Sequence, residues 1–205
     1  MSLKGHLLVS HPKMMDPNFH NTVVLITEES KEGAIGLVLN RAGPVTVKDL
    51  WKNTFKEDVE VKGWVHSGGP VYNHPTYGPV ISIHNSESFS EVEIMDRSDD
   101  DFGVYLTHSK RMLKALLVFD MKDRTNTFPD FEYRMFLGYA SWQPGQLEKE
   151  LDAGAWFLAE AGAKDVFYTY GEDLYKKCLD TVSVEIMNAI IPELTKEHFK
   201  NAPNN

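Results

Sequence analysis

The chain has 205 residues, 42% of them hydrophobic and 11% aromatic, and its 21 Lys plus Arg against 30 Asp plus Glu leave a formal charge of −9. That length and apolar content suit one domain, 1–205, with a substantial core, and exclude disorder throughout. The negative charge withholds the long-range attraction on which non-specific binding to nucleic acid or an anionic membrane depends, so direct nucleic-acid binding is disfavoured.

No apolar run approaches the roughly 18 residues needed to span a bilayer, and no basic leader precedes an apolar stretch and cleavage site. The expectation is a cytoplasmic protein without membrane association. Cys178 is the sole cysteine, which precludes an internal disulfide or a multi-cysteine zinc knuckle and agrees with a reducing compartment.

In chain order, Leu7-Leu8-Val9 reads as a short strand that enters a loop before Pro12. Thr22–Thr27 and Ile35–Leu39 are β-branched, apolar blocks separated by the charged turn Glu28–Gly33, consistent with a hairpin or with neighbours joined differently. Thr46 can cap a helix to Phe55, with Val47, Leu50, Trp51 and Phe55 on its apolar face. Gly68-Gly69-Pro70-Val71 follows as a tight path, then Val80–His84 and Val92–Met95 as strands. Val104–Leu106 predicts a strand, and Ser109 caps a helix to about Val118. Phe119–Pro129 reads as a variable loop and Glu132–Tyr139 as a core strand. Gly145 opens a helix carrying Leu147, Leu151, Ala155 and Leu158 on one stripe. Val166–Tyr170 predicts a strand, Glu172–Leu179 and Val184–Ile191 two helices, and residues from about 193 a polar tail.

The residues that could carry chemistry point weakly. Eight histidines include His6, His11 and His20 near the start and His66, His74 and His84 around the Gly-Gly-Pro segment, without ligand spacing, so no metal or other cofactor is expected. Glu148 and Glu150 are two apart and do not share a helix face; Glu148 suits the positive end of its helix. Ser67 and Ser141 lack a nucleophile-elbow motif. Cys178 spaces with Leu174 as a packing residue. No Walker or Rossmann fingerprint surrounds the glycines. Trp64, Tyr139, Trp142 and Trp156 read as core or seam, and one exposed member would shift that balance toward an interface.

Four segments taken in order resemble the YqgE/AlgH family, a group of largely uncharacterised small bacterial proteins. They are Leu7-Leu8-Val9 with Pro12, Met15, Pro17 and Phe19; Gly33 through Arg41; Gly68-Gly69-Pro70-Val71; and Leu137 through Trp142 followed by Gly145-Gln146-Leu147-Glu148 and Trp156. The likeness covers roughly residues 5 to 180. Ser141 stands where the family usually has glycine, Ala42 where proline is common, and Asp120–Asp130 is longer than the common connection. The resemblance implies an α+β fold in a single domain, with a curved mixed sheet closing partly into a barrel and helices around it.

One family branch is named as a regulator of alginate synthesis, but the chain has no recognisable helix-turn-helix, so transcriptional regulation rests on the family name alone. The leading expectation is a non-enzymatic regulatory or protein-interaction domain with a protein partner not identified by sequence, and with homo-oligomerisation left open. Asn40, Arg41, His66, Gly68, Gly69, Gln146 and Glu148 are the motif residues expected to form a ligand or partner surface. The competing expectation is a small-molecule-binding protein or enzyme, which a convergence of these residues on one cleft would favour.

Overall fold

In the computed structural model, which describes residues 2–74, 78–96, 102–123 and 131–200, with the side chains of 121–123 and 188–200 outside that description, the early apolar blocks pair as a sheet. β1 (Leu7–Ser10), β2 (Val23–Ser30) and β3 (Gly33–Val38) are central, and β10 (Ala140–Trp142) and β11 (Trp156–Ala159) form its edges, in the order β10-β3-β2-β1-β11. All pairs are antiparallel. β2 and β3 form the hairpin, with Leu25 opposite Leu37 and a register shift between Ile26 and Glu28.

A second, six-stranded sheet has the order β4-β5-β9-β6-β8-β7, built from β4 (Ala42–Thr46), β5 (Trp64–Ser67), β6 (Val80–His84), β7 (Val92–Met95), β8 (Val104–Thr107) and β9 (Tyr133–Leu137). Only β5 and β9 run parallel; the other pairs are antiparallel.

Side chains alternate between the faces of each strand, and this places the core. Leu7, Val9, Val23, Leu25, Leu37 and Leu39 of the first sheet share one buried cluster with Ile81, Ile83, Val104, Leu106 and Phe136 of the second. The opposite face of the first sheet, with Leu8, Val24, Ile26 and Val38, packs with Trp142, Leu147 and Trp156. The opposite face of the second, with Val65, Val80, Met135 and Leu137, meets α1 (Val47–Phe55) and α2 (Lys110–Asp123) through Leu50, Trp51, Leu113, Leu116 and Leu117. Thr46 caps α1 as its sequence predicts, its side chain accepting from the Asp49 amide at 3.1 Å.

The α+β class holds, but the barrel-like closure does not. Each sheet is open, the first ending at β10 and β11 and the second at β4 and β7. Closure would need a continuous ladder between ends. Instead, β10 is only three residues long, and β4 carries Pro44 and a register shift.

Several expected elements change type. Trp156–Ala159 is a strand rather than the continuation of a helix, because α3 (Gln146–Asp152) stops at the turn through Gly154, whose φ is +69°. Leu158 therefore leaves the predicted stripe and is exposed. Val166–Tyr170 is not a strand: α4 (Ala163–Tyr168) buries Ala163, Val166 and Phe167, spaced three and four apart. Phe119–Asp123 continues α2, and residues 124–129 of the predicted variable loop lie outside the described residues.

The two predicted C-terminal helices are one, α5 (Gly171–Lys200), which passes through the region expected to begin a polar tail. No glycine or proline interrupts 172–191. Thr181 and Ser183 satisfy their hydroxyls by donating to the carbonyls of Lys177 and Leu179, one turn back, so neither breaks the helix.

Candidate functional site

The Gly68-Gly69 segment sits where the two sheets join. Gly68 donates its N–H to Leu137 O of β9 at 2.9 Å and accepts the Val38 N–H of the first sheet at 2.8 Å. A Cβ at Gly68 would lie 2.3 Å from Gly138 O, and one at Gly69, whose φ is +150°, 2.3 Å from the Tyr139 carbonyl carbon. Backbone fills the space on that side, so glycine is a geometric necessity here.

Asn40 has a similar structural duty. Its Oδ1 accepts from the Val23 amide at 2.9 Å and its Nδ2 donates to Asn21 O at 2.8 Å. Asn21 has a φ of +53°, so this amide clamps an unfavourable backbone conformation at the entry to β2.

Arg41 is placed differently. Its Nη2 donates to Pro17 O at 2.9 Å and His20 O at 3.2 Å, fixing the loop between β1 and β2. Beside it lies a pocket of about 90 Å³ lined by Asn18, Val38, Arg41, Ser67, Gly69, Pro70 and Asn73. Three motif segments thus converge on one small polar cavity. Of the seven expected surface residues, Arg41 and Gly69 line it; Asn40 and Gly68 adjoin it in sequence and hold the backbone that shapes it.

His66 lies on β5 with its ring 5.3 Å from that of Phe136, and its Nδ1 is buried without a hydrogen-bond partner. Burial first, and then the nearby Arg134 guanidinium, pull the ring down to about 4 against a weaker opposing pull from the Met135 backbone. It is a half-buried histidine whose surroundings favour the neutral ring. Arg134 is itself buried, donating to Leu39 O at 3.4 Å and Thr169 O at 2.8 Å, with its guanidinium 4.0 Å from the Tyr170 ring centre. It joins the second sheet to the chain between α4 and α5.

Gln146 and Glu148 sit apart from this pocket, on α3 against the other face of the first sheet. Gln146 Oε1 accepts from the Gln143 amide at 3.0 Å and its Nε2 donates to Glu150 at 2.8 Å. Glu148 is exposed in the first turn of α3. The residue missed as an organising centre is Glu150: its Oε2 accepts the indole N–H of Trp142 at 2.9 Å and of Trp156 at 2.8 Å. The available signal was the four-residue spacing of Gln146 and Glu150 between two tryptophans.

Among the described residues, no three His, Cys, Asp or Glu side chains come together in a way that could hold a metal ion. Cys178 is buried beside Leu174 in the shared core. Burial, reinforced by Asp165 and opposed by Lys177, pushes its thiol up to about 11. Trp142 and Trp156 are buried, whereas Trp64 is 61% exposed. Tyr72 and Tyr139 border an open depression of about 440 Å³ with Gly78 and Pro79.

The sequence model of the AlgH-like family matches residues 7–187. A UPF0301 protein of Streptomyces coelicolor is 34% identical over 181 residues, covering 87% of this chain and 86% of that protein. One from Vibrio parahaemolyticus is 31% identical over 191 residues, covering 90% and 94%. The solution structure of the AlgH protein from Pseudomonas aeruginosa superposes with a TM-score of 0.63 at 24% identity, covering 99% of this chain and 95% of that one. That likeness concerns the fold, and the sequence matches extend it to descent: the chain belongs to the UPF0301, or YqgE/AlgH, family of uncharacterised bacterial proteins.

Proposed function

We propose that this chain is a non-enzymatic regulatory or protein-interaction domain of the cytoplasm, and that the surface around Trp64 meets a protein partner. The observation that carries this reading is the exposure of one tryptophan: Trp64 is 61% exposed, against 1% for Trp51, 4% for Trp142 and 3% for Trp156. A large ring held in water on a strand gains most by being covered, and tryptophan is enriched at the energetic centres of interfaces.

Trp64 follows exposed Lys62 and Gly63 and pairs with Thr46 across β4, where Ala42 and Pro44 are also exposed. Pro44 and the register shift make β4 a poor template for strand addition, so contact runs through side chains rather than a new ladder. The non-enzymatic part of the proposal is supported by the use of Asn40, Gly68 and Gln146 in structural hydrogen bonds and by a thiol held far from its thiolate form. Any regulation of transcription is then indirect, through the partner, because the net charge of −9 opposes attraction to DNA.

The test is a photo-crosslinking amino acid at position 64 in bacterial cells, with the same group at exposed Tyr168 as control. A discrete adduct formed from position 64 and not from 168 is expected. Equal, diffuse labelling from both positions across growth conditions would remove the support for this surface.

A further inference from the structure

We propose that the pocket beside Arg41 is a binding site for a small oxyanion, the phosphate or carboxylate group of a small molecule. Its lining is donor-rich: Arg41, Asn18, Asn73 and Ser67 surround about 90 Å³, and among the described residues no carboxylate lines it. That space accommodates a single acidic group and not a nucleotide.

The guanidinium is pre-positioned. Its Nη2 is spent on Pro17 O and His20 O, which anchors the side chain and leaves the Nε and Nη1 donors for another acceptor. Among the described residues, no Asp or Glu pairs with Arg41, unlike Lys48, Lys52, Lys110, Lys114, Lys176 and Lys177. In a chain of net charge −9, a fixed cation facing a cavity without a counter-charge favours an anion.

The hydroxyl is oriented for the same task. Asn73 Nδ2 donates to Ser67 Oγ at 2.5 Å, so the oxygen is already an acceptor and its own O–H is available to donate. Ser67 is fixed in turn by its amide, which donates to Arg41 O at 3.0 Å, and by the adjoining Gly68 hydrogen bonds to both sheets. Arg41 and Ser67 are therefore anchored before binding and lose little freedom on it.

This inference does not rest on the partner reading; a chain that fails to crosslink at position 64 can still hold the anion. The test is an amide-resonance titration of the full chain with inorganic phosphate and, separately, acetate, each against chloride at equal ionic strength. Saturable shifts confined to Asn18, Ser67, Gly69 and Asn73 are expected, and the stronger of the two probes distinguishes a tetrahedral from a planar ligand.

R41Q removes the one charge among the described lining residues and is expected to weaken binding about tenfold, the loss of one charge-assisted hydrogen bond. Because Arg41 also holds the 17–20 loop, S67A serves as a second variant that touches no loop carbonyl, with an expected weakening of about fivefold. The proposal is overturned if neither probe gives saturable shifts at tens of millimolar, if chloride reproduces them, or if both variants bind as the parent does.

Discussion

Glu150 accepts the indole N–H of Trp156 at 2.8 Å, and the same carboxylate oxygen takes that of Trp142 at 2.9 Å. The two rings meet edge to face with centroids 6.0 Å apart, and Phe19 lies against both, at 6.2 Å from Trp142 and 5.3 Å from Trp156. One carboxylate thus ties α3, β10 and β11 into a single polar knot within an apolar cluster. Replacing it by alanine leaves two buried indole donors unpaired, and E150A is expected to lose about 2–4 kcal/mol of stability. E150Q, which keeps an acceptor, should lose less. Urea denaturation followed by tryptophan fluorescence measures both, and equal stability of E150A and the parent would refute this role.

Glu91 gathers donors at the start of α2. Its Oε2 accepts from Thr107 Oγ1 at 2.7 Å, the His108 amide at 2.7 Å and the Ser109 amide at 2.9 Å. Partial burial raises the carboxyl, but the bonds from Ser109, His108 and Thr107 together outweigh it and bring the group down to about 2 from 4.5. A folded carboxyl below its unfolded value adds stability that is fully present above pH 4.5 and is lost as the pH falls toward 2. E91Q is expected to be less stable at neutral pH and to show a flatter decline through that acid window. Denaturant midpoints measured across it decide the matter; parallel curves for parent and variant would count against the assignment.

His84 is fully buried on β6, its ring close to the backbone of Ser86 and Phe89. Burial drives its pKa down to about 4 from 6.5, against weaker upward pulls from Ser86, Glu91 and Phe89. Folding therefore favours the neutral ring, and its contribution is intact above pH 6.5 and is withdrawn as pH falls from 6.5 to 4. His66 behaves in the same sense, with burial as the leading cause. H84F, an aromatic replacement packed against Phe89 and Tyr105, is expected to recover about 2–3 kcal/mol at the acid end of this range. If parent and H84F lose stability identically between those limits, the buried neutral ring is not the cause.

Two glycines separate crowding from backbone strain. At Gly68, a methyl group would collide with Gly138 O, a backbone atom that cannot swing aside. G68A should cost about 3 kcal/mol or more, or abolish folding. Gly145 caps α3 with a φ of +71°, and a Cβ there would meet nothing within 4 Å. G145A is expected to fold and to lose about 1–2 kcal/mol from the left-handed conformation alone. Thermal melts of the pair give the comparison, and a G68A protein as stable as G145A would contradict the crowded junction.

The strands were legible where apolar residues carried a period or a β-branched run. Val23–Ile26, Ile35–Val38, Val80–His84 and Tyr133–Leu137 all pair in sheets, and the α1 cap was visible in Thr46 and Asp49. Short apolar runs were an uneven guide: Leu7–Val9, Val92–Met95 and Val104–Leu106 are strands as expected, whereas two others depart from expectation. Val166-Phe167 and Trp156–Ala159 exchanged types between expectation and structure, because over four or five residues an apolar run fits either period and long-range partners decide between them. For Trp156–Ala159 that partner is β1, at the opposite end of the chain.

By itself, the sequence determined the family, the α+β composition and the tight backbone path through Gly68-Gly69-Pro70, since these depend on residue identity in local order. Only the tertiary structure decided that the sheets remain open, that Arg41 and Ser67 line one cavity while Gln146 binds elsewhere, and that Trp64 alone among the tryptophans is exposed. The reason is physical: sheet closure, burial and hydrogen-bond partnership are relations between segments distant in the chain, and backbone pairing across those distances sets them.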